Sequence, residues 1–462
     1  MGDTLLHMLR FPSIASPLAE TLRRRQATFT GAVLIGLAAL AFANAADGTQ
    51  QFWLQTYKTM PWLALGIPLM YAGCAFLTVR FAPAARGSGI PQVIAVASQT
   101  APEHSSLISL RTVAWKVGLT LVALAAGAPV GREGPTVQVS AAIMTAVHRL
   151  FRVKLSAAVV IAGGAAGVSA AFNTPLAGIV FAFEELAAAY EQRLAVLSMA
   201  AVVIAGIVTL GLAGNYVYFG LVSAWLDTPT TLLVVPIAGV LGGIAGGIFA
   251  RVVLLFTASS ARLIRGLRSH PVLLACGCGA IVALLGVTTS GLTWGTGYGP
   301  AKVLIEGGTE PLWLAPARFV STLATALSGL PGGIFAPSLS IGASFGGMLA
   351  SPFPGAPLGA VALIGMTAYF VGVVRAPLTS VVIVVEMTGS RTMLLPLLAT
   401  ALIADGVAAA LSPLRLYHGL AKQFARVDQR VSDEAQPTDK MKPDGRHESA
   451  AAPHASSTTD DL

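Results

Sequence analysis

Charge is scarce in this chain. Of its 462 residues, 11% are charged and 55% hydrophobic, and the mean hydropathy is +0.73. A soluble globular protein of this length is excluded, since ordinary domains carry about 25% charged residues. Cysteine is scarce too, and Cys74, Cys276 and Cys278 cannot make a disulfide framework. Cys276 and Cys278 form C-x-C inside an apolar run without a partnering His or Cys, so packing is the plainer reading and metal binding the remote one. The seven histidines also lack metal-ligand spacing. There is no H-E-x-x-H, no G-x-S-x-G, and no histidine near Ser88 in sequence, which argues against an intramembrane enzyme. No enzymatic activity and no cofactor are therefore expected.

What is abundant is apolar sequence in runs that approach the bilayer-spanning length of about 20 residues. In the first half these lie at Phe29–Ala46, Pro61–Val79, Leu107–Ala126, Thr136–Val147, Ser156–Ala171, Pro175–Tyr190 and Ala195–Leu212. In the second half they lie near Leu232–Phe256, Val272–Val287, Leu314–Ser328, Phe335–Ala350, Leu358–Val374, Pro377–Thr388 and Met393–Leu411. The expected class is an all-α polytopic membrane protein. The net charge of +8 would suggest nucleic acid in a soluble protein. Here the basic residues cluster between apolar runs (Arg23–Arg25, Arg80–Arg86, His148–Lys154, Arg262–His270), which fits the positive-inside rule instead. Ala43-Asn-Ala45 superficially resembles a signal-peptide cleavage site, but the charged segment before it is long. Gly214–Thr231 and the Gly-rich Gly291–Pro311 read as connections. The composition divides the chain into a 1–30 cytoplasmic segment, a 31–425 membrane domain and a 426–462 tail, rich in Asp, Lys, Pro, Ser and His, that reads as disordered.

One stretch stands out, Gly127-Ala-Pro-Val-Gly-Arg-Glu-Gly-Pro135. Its glycines and prolines break a helix at membrane depth, which is tolerated only where the backbone is buried in protein or lines a polar cavity. Arg132 and Glu133 stand in the break, and charges inside a membrane are expensive and by default functional. The helix is expected to restart at Pro135, a good first-turn residue. A helix start offers free N–H groups and about half a positive charge, so it attracts anions. The reading is an anion site with a carboxylate standing in it. Gly87-Ser-Gly-Ile-Pro91 offers a second such turn, in which Ser88 is either a helix N-cap or a hydroxyl donor to a ligand.

An internal repeat supports this reading. A shift of 202 residues lays Pro129 on Pro331, Gly131 on Gly333, Pro135 on Pro337, Gly163 on Gly365, Pro175-Leu176 on Pro377-Leu378, Glu184 on Glu386 and Lys116 on Arg318. The halves run over about 31–215 and 230–425. A broken segment at matching places in two halves is the best sequence pointer to a transport site. The second break, Gly329-Leu-Pro-Gly-Gly-Ile-Phe-Ala-Pro337, has no charge and puts Phe335 opposite Glu133. It offers backbone N–H groups alone, which attract a permeant anion without trapping it.

These residues are similar to the signature motifs of the CLC chloride channels and transporters: Gly87-Ser-Gly-Ile-Pro91, Gly131-Arg-Glu-Gly-Pro135 and Gly333-Ile-Phe-Ala-Pro337, in that order. Ala171-Phe-Asn-Thr-Pro-Leu-Ala-Gly178, Arg375-Ala-Pro-Leu-Thr379 and Leu416-Tyr417 resemble the family as well. The resemblance covers about 30–425. It implies a homodimer with one pore per subunit, each made of two inverted-topology halves. By motif position, Ser88 and Tyr417 would bind a central anion through their hydroxyls, with the N–H groups of Ile334 and Phe335. Amides around Arg132–Gly134, with Phe335 and Ala336, would frame an outer site. Glu133 would be the gating carboxylate, and Arg132 structural. Glu185 falls where exchangers of the family carry an acid that passes protons, a position apolar in many channels, while its neighbour Glu184 would be structural or water-organising. Serine at position 88 points to chloride. The chain looks like the short prokaryotic type, without paired nucleotide-binding regulatory domains, which implies a bacterial inner membrane with both termini cytoplasmic. The implied function is exchange of chloride for protons, with a passive chloride channel as the alternative.

Overall fold

The computed structural model describes residues 15–99, 105–186, 192–214, 219–220, 222 and 225–435. Among them the chain is helical. The first half contributes α1 (Ala15–Thr59), α2 (Ile67–Phe81), α3 (Ile90–Ala97), α4 (Leu110–Ala125), α5 (Glu133–Leu150), α6 (Ala157–Phe172), α7 (Pro175–Phe181) and α8 (Gln192–Ala213). The second contributes α9 (Thr228–Ala258), α10 (Arg262–Ser269), α11 (Pro271–Thr288), α12 (Tyr298–Ile305), α13 (Leu314–Ser328), α14 (Phe335–Ala350), α15 (Leu358–Val374), α16 (Pro377–Thr388), α17 (Leu394–Leu411) and α18 (Leu416–Ala435). The 202-residue shift recurs in the starts of α5 and α14, of α7 and α16, and of α8 and α17.

Among the described residues, six helical segments are long and apolar enough to cross a bilayer, including Pro61–Phe81, Thr228–Ala258 and Leu394–Leu411. Their outer faces expose Leu65, Leu69, Leu273, Leu284, Leu395 and Leu402. A bare leucine face of this extent belongs against lipid rather than water, so this is a membrane protein. Other helices are buried on all sides. In α15 every residue from Gly359 to Val374 is buried, and in α6 every residue from Val159 to Phe172. At 1.5 Å per residue, α6 is about 24 Å long, too short for a hydrocarbon core of about 30 Å. Such helices are sustained by protein on every side instead of by lipid.

Repeat-matched glycines allow this packing. A Cβ on Gly163 of α6 would lie 2.7 Å from the Met144 Cβ and 2.9 Å from the Ala141 Cα of α5. Its counterpart Gly365 on α15 would collide with the Gly346 backbone of α14 and come within 2.8 Å of the Gly342 carbonyl. Both inner helix pairs therefore approach backbone to backbone.

Several expectations shift. α1 is one continuous helix through the Ala43–Ala45 segment, and the Ala43 carbonyl is engaged by Arg132. The basic stretch at 262–270 forms a short exposed helix, α10. The Gly-rich connection at 291–311 contains α12, and the polar connection before α9 lies partly outside the described residues. α18 runs on to Ala435, past the point where the tail reads as disordered, and 436–462 lie outside the described residues.

Gly365→Ala should cost about 1–3 kcal/mol through overpacking and lower the thermal unfolding midpoint of the purified protein by several degrees. Gly406→Ala serves as control, because a Cβ there meets nothing within 4 Å, and its midpoint should hold or rise slightly. Equal midpoints for the two variants would contradict the packing account.

Candidate ion and proton site

The two breaks meet. Gly131 N–H donates to the Gly333 carbonyl and Gly333 N–H to the Gly131 carbonyl, both at 2.7 Å. These two bonds set the N-termini of α5 and α14 beside each other in the interior. α5 begins at Glu133, two residues earlier than Pro135 suggests, and α14 begins at its repeat partner Phe335. The third turn joins through Gly332 N–H, which donates to the Gly87 carbonyl at 3.0 Å. Gly89 holds a φ of 112°, and Gly134 packs so closely on Ser88 that a Cβ would strike the serine hydroxyl. The N–H groups in the first turn of each helix have no carbonyl four residues behind them, so both helix starts offer donors to one place.

Buried polar side chains hold the 84–87 turn. Lys116 Nζ, fully buried, donates to the carbonyls of Ala85 at 2.8 Å and Gly87 at 2.5 Å. Gln92 donates to the Arg86 carbonyl at 2.7 Å. Ser88 is not an N-cap: the cap of α3 is Gly89, with no side-chain capping bond. The Ser88 and Tyr417 hydroxyls are both buried and close enough to interact with one another, and neither is in a well-aligned hydrogen bond. Tyr417 lies within electrostatic reach of Ser88, Glu133 and Glu185. Its ring packs on Phe335, 5.7 Å between centroids, and Phe335 is further walled by Phe370 at 4.9 Å, Phe172 at 6.0 Å and Phe181 at 6.1 Å. The side chain of Phe335 is thus aromatic packing, while the backbone N–H groups of Ile334, Phe335 and Ala336 stand at the α14 start.

Glu133 is 1% exposed. Its Oε1 accepts a 2.5 Å hydrogen bond from the Tyr298 hydroxyl, and its Oε2 has no hydrogen-bond partner. The carboxylate folds back over Gly131, beside Ala336, so it lies where the two helix starts meet. Arg132 points the other way. Its guanidinium donates to the Ala43 carbonyl at 2.6 Å and pairs with Asp47 at 2.7 Å, tying the break to α1.

The acids after α7 divide their work. A π-helical turn, Ala182–Leu186, carries both, and such turns are frequent at functional sites. Glu184 accepts from Leu378 N–H at 3.0 Å and Thr379 N–H at 2.6 Å, capping α16. Glu386 does the same for α7, accepting from Leu176 N–H at 3.2 Å and Ala177 N–H at 2.8 Å. Glu184 is therefore a cap between halves and not a solvated helix-end acid. Glu185 is fully buried, with neither carboxylate oxygen in a well-aligned hydrogen bond. His418 Nδ1 of α18 lies 3.3 Å from its Oε1, at ion-pair distance.

Sequence reasoning missed Tyr298, Lys116, Asp47 and His418 as neighbours of the site. For Lys116 a signal existed, a lone cation inside an apolar run. For the reciprocal caps the repeat already paired Glu184 with Glu386 and both prolines. Tyr298 sits in a Gly-rich stretch with nothing local to mark it.

Residues 66–409 match the family model described as voltage gated chloride channel. Among solved structures, a slow cyanobacterial Cl⁻/H⁺ antiporter is similar at 27% identity and a TM-score of 0.76, covering 87% of this chain and 98% of that one. A CLC-type fluoride/proton antiporter shares the fold at 22% identity and a TM-score of 0.73, covering 86% of this chain and 96% of that one. A eukaryotic CLC transporter does so at 24% identity and a TM-score of 0.69, covering 88% of this chain and 74% of that one. With the family model matched over most of the membrane domain, and with two broken helices meeting at a buried carboxylate, the chain belongs to the voltage gated chloride channel (CLC) family.

Proposed function

We propose that this protein exchanges chloride for protons across the membrane. The observation that carries the reading is Glu185, a fully buried carboxylate met by His418, with Glu185 and Glu133 both within electrostatic reach of Tyr417. A buried polar group left unsatisfied costs about 1–3 kcal/mol, and Ser88, Tyr417, Glu133 and Glu185 all contribute such atoms. Their clustering fits a place that ions and protons fill in turn.

The roles follow from chemistry. Ser88 and Tyr417 supply hydroxyl donors for a central anion, together with the N–H groups of Ile334 and Phe335. The amides of Gly134, Phe335 and Ala336 frame an outer position, which the Glu133 carboxylate takes when no anion is there. A proton on Glu133 and an anion beside it favour one another, because the like charges repel. Donors alone line the anion path at Ser88 and Tyr417, so protons need an acceptor of their own, and Glu185 is the one available. A passive channel would not need it. The process calls for no covalent chemistry and no cofactor beyond the ions. The similarity to a Cl⁻/H⁺ antiporter supports chloride, as does Ser88. A homodimer in a bacterial inner membrane, with both termini cytoplasmic, belongs to the same proposal.

Purified protein in liposomes tests this, with anion and proton fluxes recorded together. Glu133→Gln and Glu185→Gln should each keep anion flux and lose proton movement, with the reversal potential moving to the chloride equilibrium value. Proton pumping against its gradient by either variant would remove that residue from the pathway. Repeating the assay with fluoride in place of chloride decides the anion.

Tyr298→Phe keeps the ring contact with Phe219, 5.5 Å between centroids, and removes the bond to Glu133. Hydrogen bonds to charged groups contribute about 1.5–3 kcal/mol. The carboxylate should then compete less well, and anion affinity by calorimetry should tighten roughly tenfold or more, 1.4 kcal/mol being a factor of ten. In a Glu133→Gln background the same change should do much less. An unchanged affinity in the otherwise native chain would show that Tyr298 does not hold the gate.

A further inference from the structure

We propose that His418 is the proton-relay residue that connects buried Glu185 with bulk water. The inference rests on the exchange reading above. Glu185 is 0% exposed, so it cannot trade protons with solvent directly, and its Oε1 is met by His418. His418 Nδ1 stands 3.3 Å from Glu185 Oε1 and the side chain is 39% exposed. The imidazole therefore touches the acid at one end and water at the other. Its Nδ1 is itself buried and interacts with that carboxylate.

The other groups facing Glu185 do not fit the task. Arg415 is near, with its guanidinium donating to the Glu184 carbonyl at 3.0 Å, but an arginine does not release its proton in proteins. Glu184 has both carboxylate oxygens engaged at the α16 start. Tyr417 is fully buried and gives no route to water. Imidazole is the common proton shuttle among side chains.

The step balances simply. Imidazolium Nδ1–H gives its proton to Glu185 Oε1; the N–H bond breaks as the O–H bond forms, and neutral imidazole remains. The ring that remains is the Nε2–H tautomer; exchange to the Nδ1–H tautomer frees the Nε2 lone pair, which then takes a proton from hydronium in bulk water and restores the imidazolium. Proton release runs the same steps in reverse. The placement is built by α18, which sets Tyr417 in the core and turns the next residue to the surface, while the π-helical turn brings Glu185 to meet it.

The test uses the full chain in liposomes, with an outward or inward chloride gradient driving protons, for wild type, His418→Ala, His418→Gln and Glu185→Gln. Positioned acid–base groups contribute roughly a hundredfold or more to proton transfer, and the two His418 variants are expected to lose about tenfold or more of proton flux. Added imidazole should restore part of the flux in His418→Ala and leave Glu185→Gln inactive in proton transport. The reversal potential of the His418 variants should keep its pH sensitivity, since Glu185 remains. Wild-type proton flux in His418→Ala, or a slow His418→Ala that imidazole does not help, overturns the relay and leaves His418 a structural ion-pair partner. Wild-type protein that moves no protons overturns the exchange reading and the relay with it; loss of proton transport in Glu185→Gln alongside an unaffected His418→Ala overturns the relay alone.

Discussion

Two hydrogen bonds between Gly131 and Gly333 hold the centre of this molecule. They are the point where two helices that start inside the membrane are fastened to each other. Free N–H groups there would be costly in hydrocarbon, so broken helices need protein around them and a purpose between them. The bridge supplies the first by locking one half to the other. It supplies the second by aligning two helix starts on one small volume. Everything nearby yields to that approach. Gly134 has no room for a Cβ beside Ser88, and Gly333 lies 3.0 Å, by its would-be Cβ, from the Gly134 N–H.

The same two-fold logic sorts the acids. Glu184 and Glu386 each close the other half's helix start, with both oxygens occupied. They are structural because their bonds are satisfied. Glu133 and Glu185 are buried and incompletely bonded, without counterparts in the repeat: Phe335 stands at the place of Glu133, and Met387 at that of Glu185. Symmetric carboxylates build the scaffold, and the asymmetric ones carry the chemistry we assign. Arg132 and Lys116 keep the scaffold still by binding carbonyls of α1 and of the 84–87 turn.

Much of this was legible in the sequence, for physical reasons. Glycine, proline and charge at membrane depth can be read because each is expensive there, so Gly131, Arg132, Glu133 and their repeat partners stood out. The 202-residue shift told where α14 and α16 begin, because helix starts use proline and glycine in fixed places. Tertiary partners were not legible. Tyr298 reaches Glu133 across 165 residues of chain and His418 reaches Glu185 across α18, and neither carries a local signature. Pro135 misled by two residues, because the bridge at Gly131 lets α5 begin at Glu133. The short α12, which buries Ala301, Leu304 and Ile305, escaped notice inside a Gly-rich stretch, where local propensity argued for a loop and packing won.

The central claim is that one buried pathway couples an anion to a proton. It is tested most directly by the reversal potential of the wild-type protein in liposomes under a fixed chloride gradient while the pH gradient is varied. The account predicts a potential that moves with the pH gradient, and protons driven uphill by chloride. A potential pinned at the chloride equilibrium value at every pH gradient would contradict it and make this protein a passive anion channel.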